Sequence, residues 1–423
     1  MSDSNVQPFA KSFEEELNKK INSDEDYHRL GLNFNPFSPA GIPKEQGLDK
    51  LEPLSQSVKK RLRDFVVATY GSSEYSGLTI VGDFGSGKTH TMLYLRKVLE
   101  GLSTDTPPKP PVFVCYVDRP EEAPSKVINR LVENIGLDNL RKYVWTVLID
   151  NMSENKATFS QDFRLNQTNL MGENSWDKLF SEPTKSNPQT FISEFKKLKG
   201  DLDKLRARSK DVLVKKLVYN EALVNRYLDL LFEDDKHSDK SWEVLAGYSS
   251  SRDLKDKEVH FLNSLVKLLR INGFKMVYVF IDEFEDVDKL RSSKFSDYML
   301  TLNTMINSER NWAVVVSITE DALSKVREYS TPLYDRLTSW EAKLQPLGID
   351  EAKILVQNYV SSASSENGGD GQLFSEELFS KILAESTGNY RSFVRIAYKV
   401  VEHARAKGYS FPLPETVLGE LSE

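Results

Sequence analysis

Apolar residues along this chain fall into two rhythms. Four short, nearly continuous apolar runs stand out: Leu78 to Val81, Val112 to Asp118, Phe274 to Ile281 and Trp312 to Thr319. A strand covered on both faces loses the alternation of polar and apolar residues, so these runs predict buried strands. Between them the apolar spacing is helical. Val58, Leu62, Phe65 and Val66 recur within Ser55 to Ala68, and Val127, Leu131, Val132 and Ile135 within Ala123 to Ile135. Thr91 to Leu99 and Phe295 to Ile306 also read as helices, and Pro107 to Pro111 as a break. Strand, loop, helix, break, strand, helix is the opening of a parallel α/β sheet.

From about Gly136 to His260 helical periodicity dominates. Phe191, Phe195, Leu198, Leu202, Leu205 and Val212 lie at near-heptad intervals, with Ser209 in the polar slot, and predict one long amphipathic helix. Between Lys196 and Lys216 there are nine basic residues and three acidic ones, a local excess of six. That face is either a solvated helix surface or a contact for nucleic-acid phosphates, which requires charge but no base reading. From Gly348 onward the chain reads as a small helical domain: Glu351 to Val360, Phe374 to Glu385 and Ser392 to Ala406, with a Ser/Gly loop from Ser361 to Gln372. Near the other end, Leu32 to Pro39 is an aromatic turn segment, either a tether packed on the first domain or one wall of an adenine pocket.

Composition narrows the classes. A chain of 423 residues predicts two or three domains, and 39% hydrophobic with 28% charged residues is enough for cores in a soluble protein. The net charge of −7 argues against a wholly basic nucleic-acid coat and still allows a local basic face. The single cysteine, Cys115, lies in an apolar run, so it reads as packing in a reducing cytosol and allows no intrachain disulfide. The start has no basic-then-apolar signal pattern and no apolar run reaches membrane-spanning length, so a cytoplasmic protein without a membrane partner is expected. The five histidines are scattered without metal-ligand spacing.

The chemistry concentrates around Gly82-Asp83-Phe84-Gly85-Ser86-Gly87-Lys88-Thr89, which fits G-x-x-x-x-G-K-[ST] between a strand and a helix. Its glycines allow positive φ and close approach of backbone to phosphate. Its amides and the following helix start face phosphate oxygens. Lys88 reaches the β- and γ-phosphates, and Thr89 offers its hydroxyl to Mg²⁺. The expected nucleotide contacts are Gly82, Asp83, Phe84, Gly85, Ser86, Gly87, Lys88, Thr89 and His90. The run ending at Ile281 is closed by Asp282-Glu283. Strand ends of an open α/β sheet are where ligands bind. Asp282 is expected in the Mg²⁺ shell and Glu283 as the base that orients the attacking water. Thr319, with Ser317 in reserve, is the candidate polar strand end for positioning that water, or else a strand-terminating threonine. Arg336 follows an apparent helix end. It either reaches a neighbouring subunit's nucleotide or pairs at the surface with Asp335 or Glu341. Arg391, with Arg395 next, either reports the γ-phosphate to the helical domain or is a helix-surface arginine.

Taken together, Gly82 to Thr89, Ile281-Asp282-Glu283, the polar strand end near Thr319, Arg336 and Gly388-Asn389-Tyr390-Arg391 resemble the AAA+ ATPase superfamily. The Gly-Asn-Tyr-Arg sequence and the Tyr116-Val117-Asp118 strand end are similar to its origin-recognition and initiator clade. A closer similarity is to ATP-binding proteins of BREX-type phage-defence operons, carried by Gly82 to His90, Trp242 to Gly247 and Phe261 to Gly273. The resemblance implies an α/β fold: a P-loop AAA+ parallel-sheet core with a large helical insertion and a C-terminal helical lid. The expected organisation is an arm over 1–49, core over 50–135, insertion over 136–260, core again over 261–347 and lid over 348–423. It implies ATP and Mg²⁺ as cofactors, ATP hydrolysis, and self-association or a partner protein.

Two departures matter. Lys88 and Asp282 are 194 positions apart (282 − 88), longer than a compact core needs. The clade usually carries a DNA-binding winged helix after the lid, and here only Gly408 to Glu423 follow the last helix, which puts DNA binding by that route in doubt. Two functions stay open: an ATP-driven switch or motor on DNA, in antiviral defence and with the basic stretch 196–216 as contact, or a nucleotide-gated scaffold that binds a partner protein. A small-molecule kinase is a third reading, opposed by the insertion and the Asp-Glu pair. Lys88→Ala is expected to abolish ATP binding in an equilibrium titration; retained binding would sink the loop assignment.

Overall fold

The computed structural model describes residues 27–40, 55–102, 110–163, 175–233, 235–249, 258–308, 311–364 and 372–421. The proline-rich break at 107–111 and the Ser/Gly loop at 361–372 lie partly outside them. The chain divides into two compact units, one of 1–63, 80–97 and 342–423, the other of 64–79 and 98–341. The divisions pass through α1 (Gln56–Thr69), β1 (Ser76–Val81) and α2 (Lys88–Gly101).

The second unit is built on a sheet. Its chain continues through β2 (Phe113–Val117), α3 (Pro124–Ile135), α4 (Leu137–Glu154), α5 (Lys156–Phe163), α6 (Ser175–Leu179), α7 (Pro188–Lys197), α8 (Leu202–Lys216), α9 (Glu221–Phe232), α10 (Asp235–Leu245) and α11 (Glu258–Ile271). It then runs through β3 (Val277–Ile281), a 3-10 turn (Phe284–Lys289), α12 (Ser292–Ser308), β4 (Trp312–Ile318), α13 (Glu320–Tyr329), α14 (Thr331–Leu337) and the start of β5 (Trp340–Lys343). The five strands are ordered β2-β3-β4-β1-β5, and β2-β3 and β3-β4 are parallel. This is the expected α/β class. Every residue of β3 and β4 is buried, which is why those stretches read as unbroken apolar runs. α3 buries Val127, Ile128, Leu131, Val132 and Ile135, the face that the helical spacing marks out. Cys115, the single cysteine, is buried in β2 and has no second cysteine to pair with.

Three boundaries differ from expectation. β3 starts at Val277 because the amides of Phe274 and Lys275 are taken by Leu269 and Pro111 carbonyls outside any strand ladder. β5 has only four residues and alternates Trp340, Glu341, Ala342, Lys343, so no apolar run announces it. Arg336 lies inside a helix rather than after one: Ser330 caps α14 and Pro332 sits in its first turn.

The described part of 136–260 contains helices and no strand. Its aromatic residues form the core, with Trp145 on Phe191 at 5.1 Å and Phe163 on Phe195 at 5.2 Å between ring centroids. The expected single helix through 191–212 is instead two, α7 and α8. The chain turns at Lys199, which adopts φ of 57°, and at Gly200, where an added Cβ would lie 2.3 Å from the Phe195 ring. Asp201 then restarts the helix, accepting the Lys204 N–H at 3.0 Å. Heptad spacing survives such a corner because both short helices bury the same kind of face. Four of the nine basic residues are matched by carboxylates. Arg206 pairs with Asp229 and Glu233, Arg208 with Asp162, Lys210 with Glu221 and Lys197 with Glu194.

The first unit holds the C-terminal helices α15 (Ile349–Ala363), α16 (Glu376–Glu385), α17 (Tyr390–Lys407) and α18 (Thr416–Glu420), packed into one core. Leu413, Val417 and Leu418 belong to it, so the stretch after α17 is part of this domain. So are Leu30, Leu32 and Phe37. Phe37 stands 5.3 Å from Tyr359 and 5.9 Å from Phe374 between ring centroids. Asn35 Nδ2 donates to the Tyr398 carbonyl at 3.1 Å and to Glu402 at 2.8 Å. The aromatic segment is therefore a tether, bound to the C-terminal helices rather than to the first domain. Among the described residues no helix is long and apolar enough to cross a membrane. Phe37→Ala is expected to cost the helical domain about 3–5 kcal/mol, read as faster amide exchange in α15 and α17.

Candidate functional site

In the first unit, β1 delivers the chain into the loop 82–87 and α2 starts at Lys88. Gly85 and Gly87 adopt φ of 78° and 97°, a region costly for residues with a Cβ. The loop closes on itself through Ser86 N–H to the Asp83 carbonyl at 3.2 Å. Lys88 Nζ donates to the Gly82 carbonyl at 3.0 Å and to the Asp83 carbonyl at 3.4 Å, and lies 5.3 Å from the Phe84 ring centre. The ammonium is thus folded into the loop, on carbonyl oxygens that a phosphate oxygen could replace. Ser86 Oγ is buried without a hydrogen-bond partner. Thr89, in the first turn of α2, is exposed. The positive end of a helix favours an anion at this place.

The helical domain meets this loop directly. Asn389 caps α17 by accepting the Ser392 N–H at 3.1 Å, and its Nδ2 donates to the Phe84 carbonyl at 2.7 Å. The Arg391 N–H donates to the Gly85 carbonyl at 3.0 Å. Tyr390 stacks on His90 with centroids 6.1 Å apart, and its hydroxyl is 3.1 Å from that of Tyr359. Burial pushes both phenols up, further for Tyr390 where Tyr359 adds to it, so this pair keeps its protons at neutral pH. The Arg391 and Arg395 side chains are exposed one turn apart. The structure therefore brings Arg391 to the loop by its backbone, and does not bring Arg395 there.

In the second unit the acidic pair sits at the end of β3. Strand register places it: Phe280 is opposite Tyr116 on one side and Val315 on the other. Side chains two residues apart share a face, so Tyr116, Asp282 and Ser317 emerge on the same face at adjacent strand ends. Asp282, 3% exposed, accepts from the Tyr116 hydroxyl at 2.7 Å, from Ser317 Oγ and from the Glu283 N–H at 2.9 Å. The Glu283 N–H also reaches Ser317 Oγ at 3.0 Å. These bonds hold Glu283 at φ 47° and ψ 40°, a left-handed conformation unusual for a glutamate. Its carboxylate is 3.3 Å from Arg119 Nε, with the two side chains 47% and 67% exposed. An ion pair so exposed is worth about 0–1 kcal/mol and exchanges readily.

Two oxygens that accept three hydrogen bonds keep about one lone-pair position free. Mg²⁺ takes few protein oxygens and completes its shell with water and phosphate. The hard oxygen donors of the Asp282 carboxylate suit that cation.

Thr319 is the N-cap of α13, its Oγ1 3.4 Å from the Ala322 N–H, while Ser317 is the residue joined to the acidic pair. Arg336 donates to Asn303 Oδ1 at 3.1 Å. Tyr116 and Asn389 lie in the stretches 116–118 and 388–391 that carry the resemblance, but no motif gives either of them, or Arg119, a role. For Asn389 a signal existed, since an asparagine just before a helical run is a cap.

No family model and no curated protein matches the chain. Among solved structures it is similar to the ORC2 protein of Aeropyrum pernix in ADPNP–ADP complexes, at 13% identity and a TM-score of 0.42, over 90% of this chain and 72% of that one. It is also similar to the Aeropyrum pernix ORC1 protein in complex with DNA, at 12% identity and a TM-score of 0.45, over 91% and 69%. A third is Cdc6p of Pyrobaculum aerophilum, at 13% identity and a TM-score of 0.40, over 88% and 66%.

Tyr116→Phe and Ser317→Ala each remove a donor from a buried carboxylate. Each is expected to lower stability in urea unfolding by about 1.5–3 kcal/mol, and the double variant by less than the sum, because both serve Asp282.

Proposed function

We propose that this chain binds ATP at the loop 82–89, hydrolyses it with the help of Asp282 and Glu283, and uses the cycle as a nucleotide-driven switch. The observation that carries this reading is the loop itself, with its left-handed Gly85 and Gly87, a helix starting at Lys88, and the Lys88 ammonium resting on the loop's own carbonyls. In this reading Lys88 exchanges the Gly82 and Asp83 carbonyls for phosphate oxygens. Loop amides and the start of α2 hold the remaining negative charge. Thr89 and Asp282 hold Mg²⁺, which when bound supplies positive charge to the phosphates. Tyr116 and Ser317 fix the Asp282 carboxylate. Glu283 takes the proton of the attacking water, leaving the exposed partner Arg119 to do so. Thr319 positions that water and Arg391 answers to the γ-phosphate. Arg336 completes a neighbour's site, which for this chain means giving up its bond to Asn303.

The target of the switch is proposed to be DNA, with antiviral defence drawing on the stretches 82–90, 242–247 and 261–273 alone. The pairing of Arg206, Arg208, Lys210 and Lys197 with carboxylates narrows the basic stretch to five exposed lysines, Lys196, Lys199, Lys204, Lys215 and Lys216, of which Lys204 already donates to the Asp162 carbonyl. The same matching favours the second reading, a nucleotide-gated scaffold that binds a partner protein. Glu283→Gln is expected to keep ATP affinity and to lower turnover about 10²-fold or more. In the same assay, duplex or single-stranded DNA raises turnover and binds with a steep salt dependence if DNA is the target. Unchanged turnover and no DNA affinity at low salt would leave the partner-gated scaffold.

A further inference from the structure

We infer that Asn389 is a positioning residue for the phosphate loop: it sets the loop's peptide orientation from the helical domain. The inference rests on the ATP-binding reading of residues 82–89. Two consecutive loop carbonyls are tied to the start of α17. Asn389 Nδ2 holds that of Phe84 at 2.7 Å, and the Arg391 N–H holds that of Gly85 at 3.0 Å. In a planar trans peptide the C=O and the next N–H point in opposite directions. Tying the Phe84 and Gly85 carbonyls to α17 therefore turns the Gly85 and Ser86 N–H groups to the opposite side of the loop. The Gly85 N–H is a donor of the kind a phosphate needs, set in place before binding, while the Ser86 N–H rests on the Asp83 carbonyl at 3.2 Å and would exchange it for a phosphate oxygen.

The fit leaves no slack. A Cβ on Gly85 would lie 2.7 Å from Asn389 Oδ1 and 3.0 Å from Arg391 Cβ. Gly85 therefore serves both its own positive φ and the approach of α17. Asn389 in turn uses both ends of its amide. The oxygen caps the helix through Ser392 N–H, and the nitrogen serves the loop. This division of labour makes the two roles separable. Serine at 389 is also a good helix cap, but it is too short and too differently built to donate to the Phe84 carbonyl. Alanine loses both.

The test uses the full-length protein and a fluorescent N-methylanthraniloyl ADP as the probe. N389S is expected to bind it about 3- to 10-fold more weakly, the worth of one hydrogen bond, at an unchanged melting temperature without nucleotide. N389A is expected to show the same loss of affinity together with a lower melting temperature. In steady-state hydrolysis, N389S should raise KM for ATP by the same factor and leave kcat unchanged. Wild-type affinity in N389S, or a weakening that appears only where the melting temperature falls, overturns the positioning role while leaving the loop assignment intact. Failure of the wild-type protein to bind the probe overturns the loop assignment and this inference with it.

Discussion

The register of β3 between its two neighbours is the constraint on which the acidic half of the candidate site depends. β3 is buried along its whole length and pairs in parallel with β2 and β4. Because side chains alternate with a period of two, a slip of one residue would send Asp282 to the other face of the sheet, away from Tyr116 and Ser317. Apolar packing on both faces resists such a slip, since it would exchange every inward and outward side chain of the strand. The strained backbone of Glu283 is tolerable for the same reason. Its amide is held by two oxygens whose positions the register has already set.

The loop half depends on a different physics, the absence of side chains. Gly85 and Gly87 permit the turn, and the bare Gly85 lets α17 approach. The helical domain that makes this approach is itself held by the segment 27–37, through Phe37 on Tyr359 and Asn35 on Glu402. A line of contacts thus runs from Phe37 through Tyr359 and Tyr390 to His90 at the start of α2. Each link is an aromatic contact or a hydrogen bond between phenols that burial keeps protonated.

The helical block shows how surface charge is misjudged without partners. Nine basic residues between Lys196 and Lys216 look like one cationic face. Arg206 alone is met by two carboxylates, Asp229 and Glu233, that come from another helix and the turn after it. Charge counted along the chain is a property of the segment. Charge presented to a ligand is a property of the packed surface.

By itself the sequence determined the class of the fold and marked out the loop 82–89. Buried parallel strands need unbroken apolar runs, and phosphate loops need glycines and a lysine at set spacing, so both are written in local order. It also marked Asp282 and Glu283, because an apolar strand that ends in two acids is a local pattern. Tertiary structure alone decided that Ser317, rather than Thr319, meets the acidic pair, since that choice depends on the pairing of two strands more than thirty residues apart. It decided that 191–212 bends at Gly200, because the bend depends on the Phe195 ring filling the place of a side chain. It decided that Leu32 to Pro39 belongs with the C-terminal helices, more than three hundred residues away, because hydrophobic burial has no memory of chain distance.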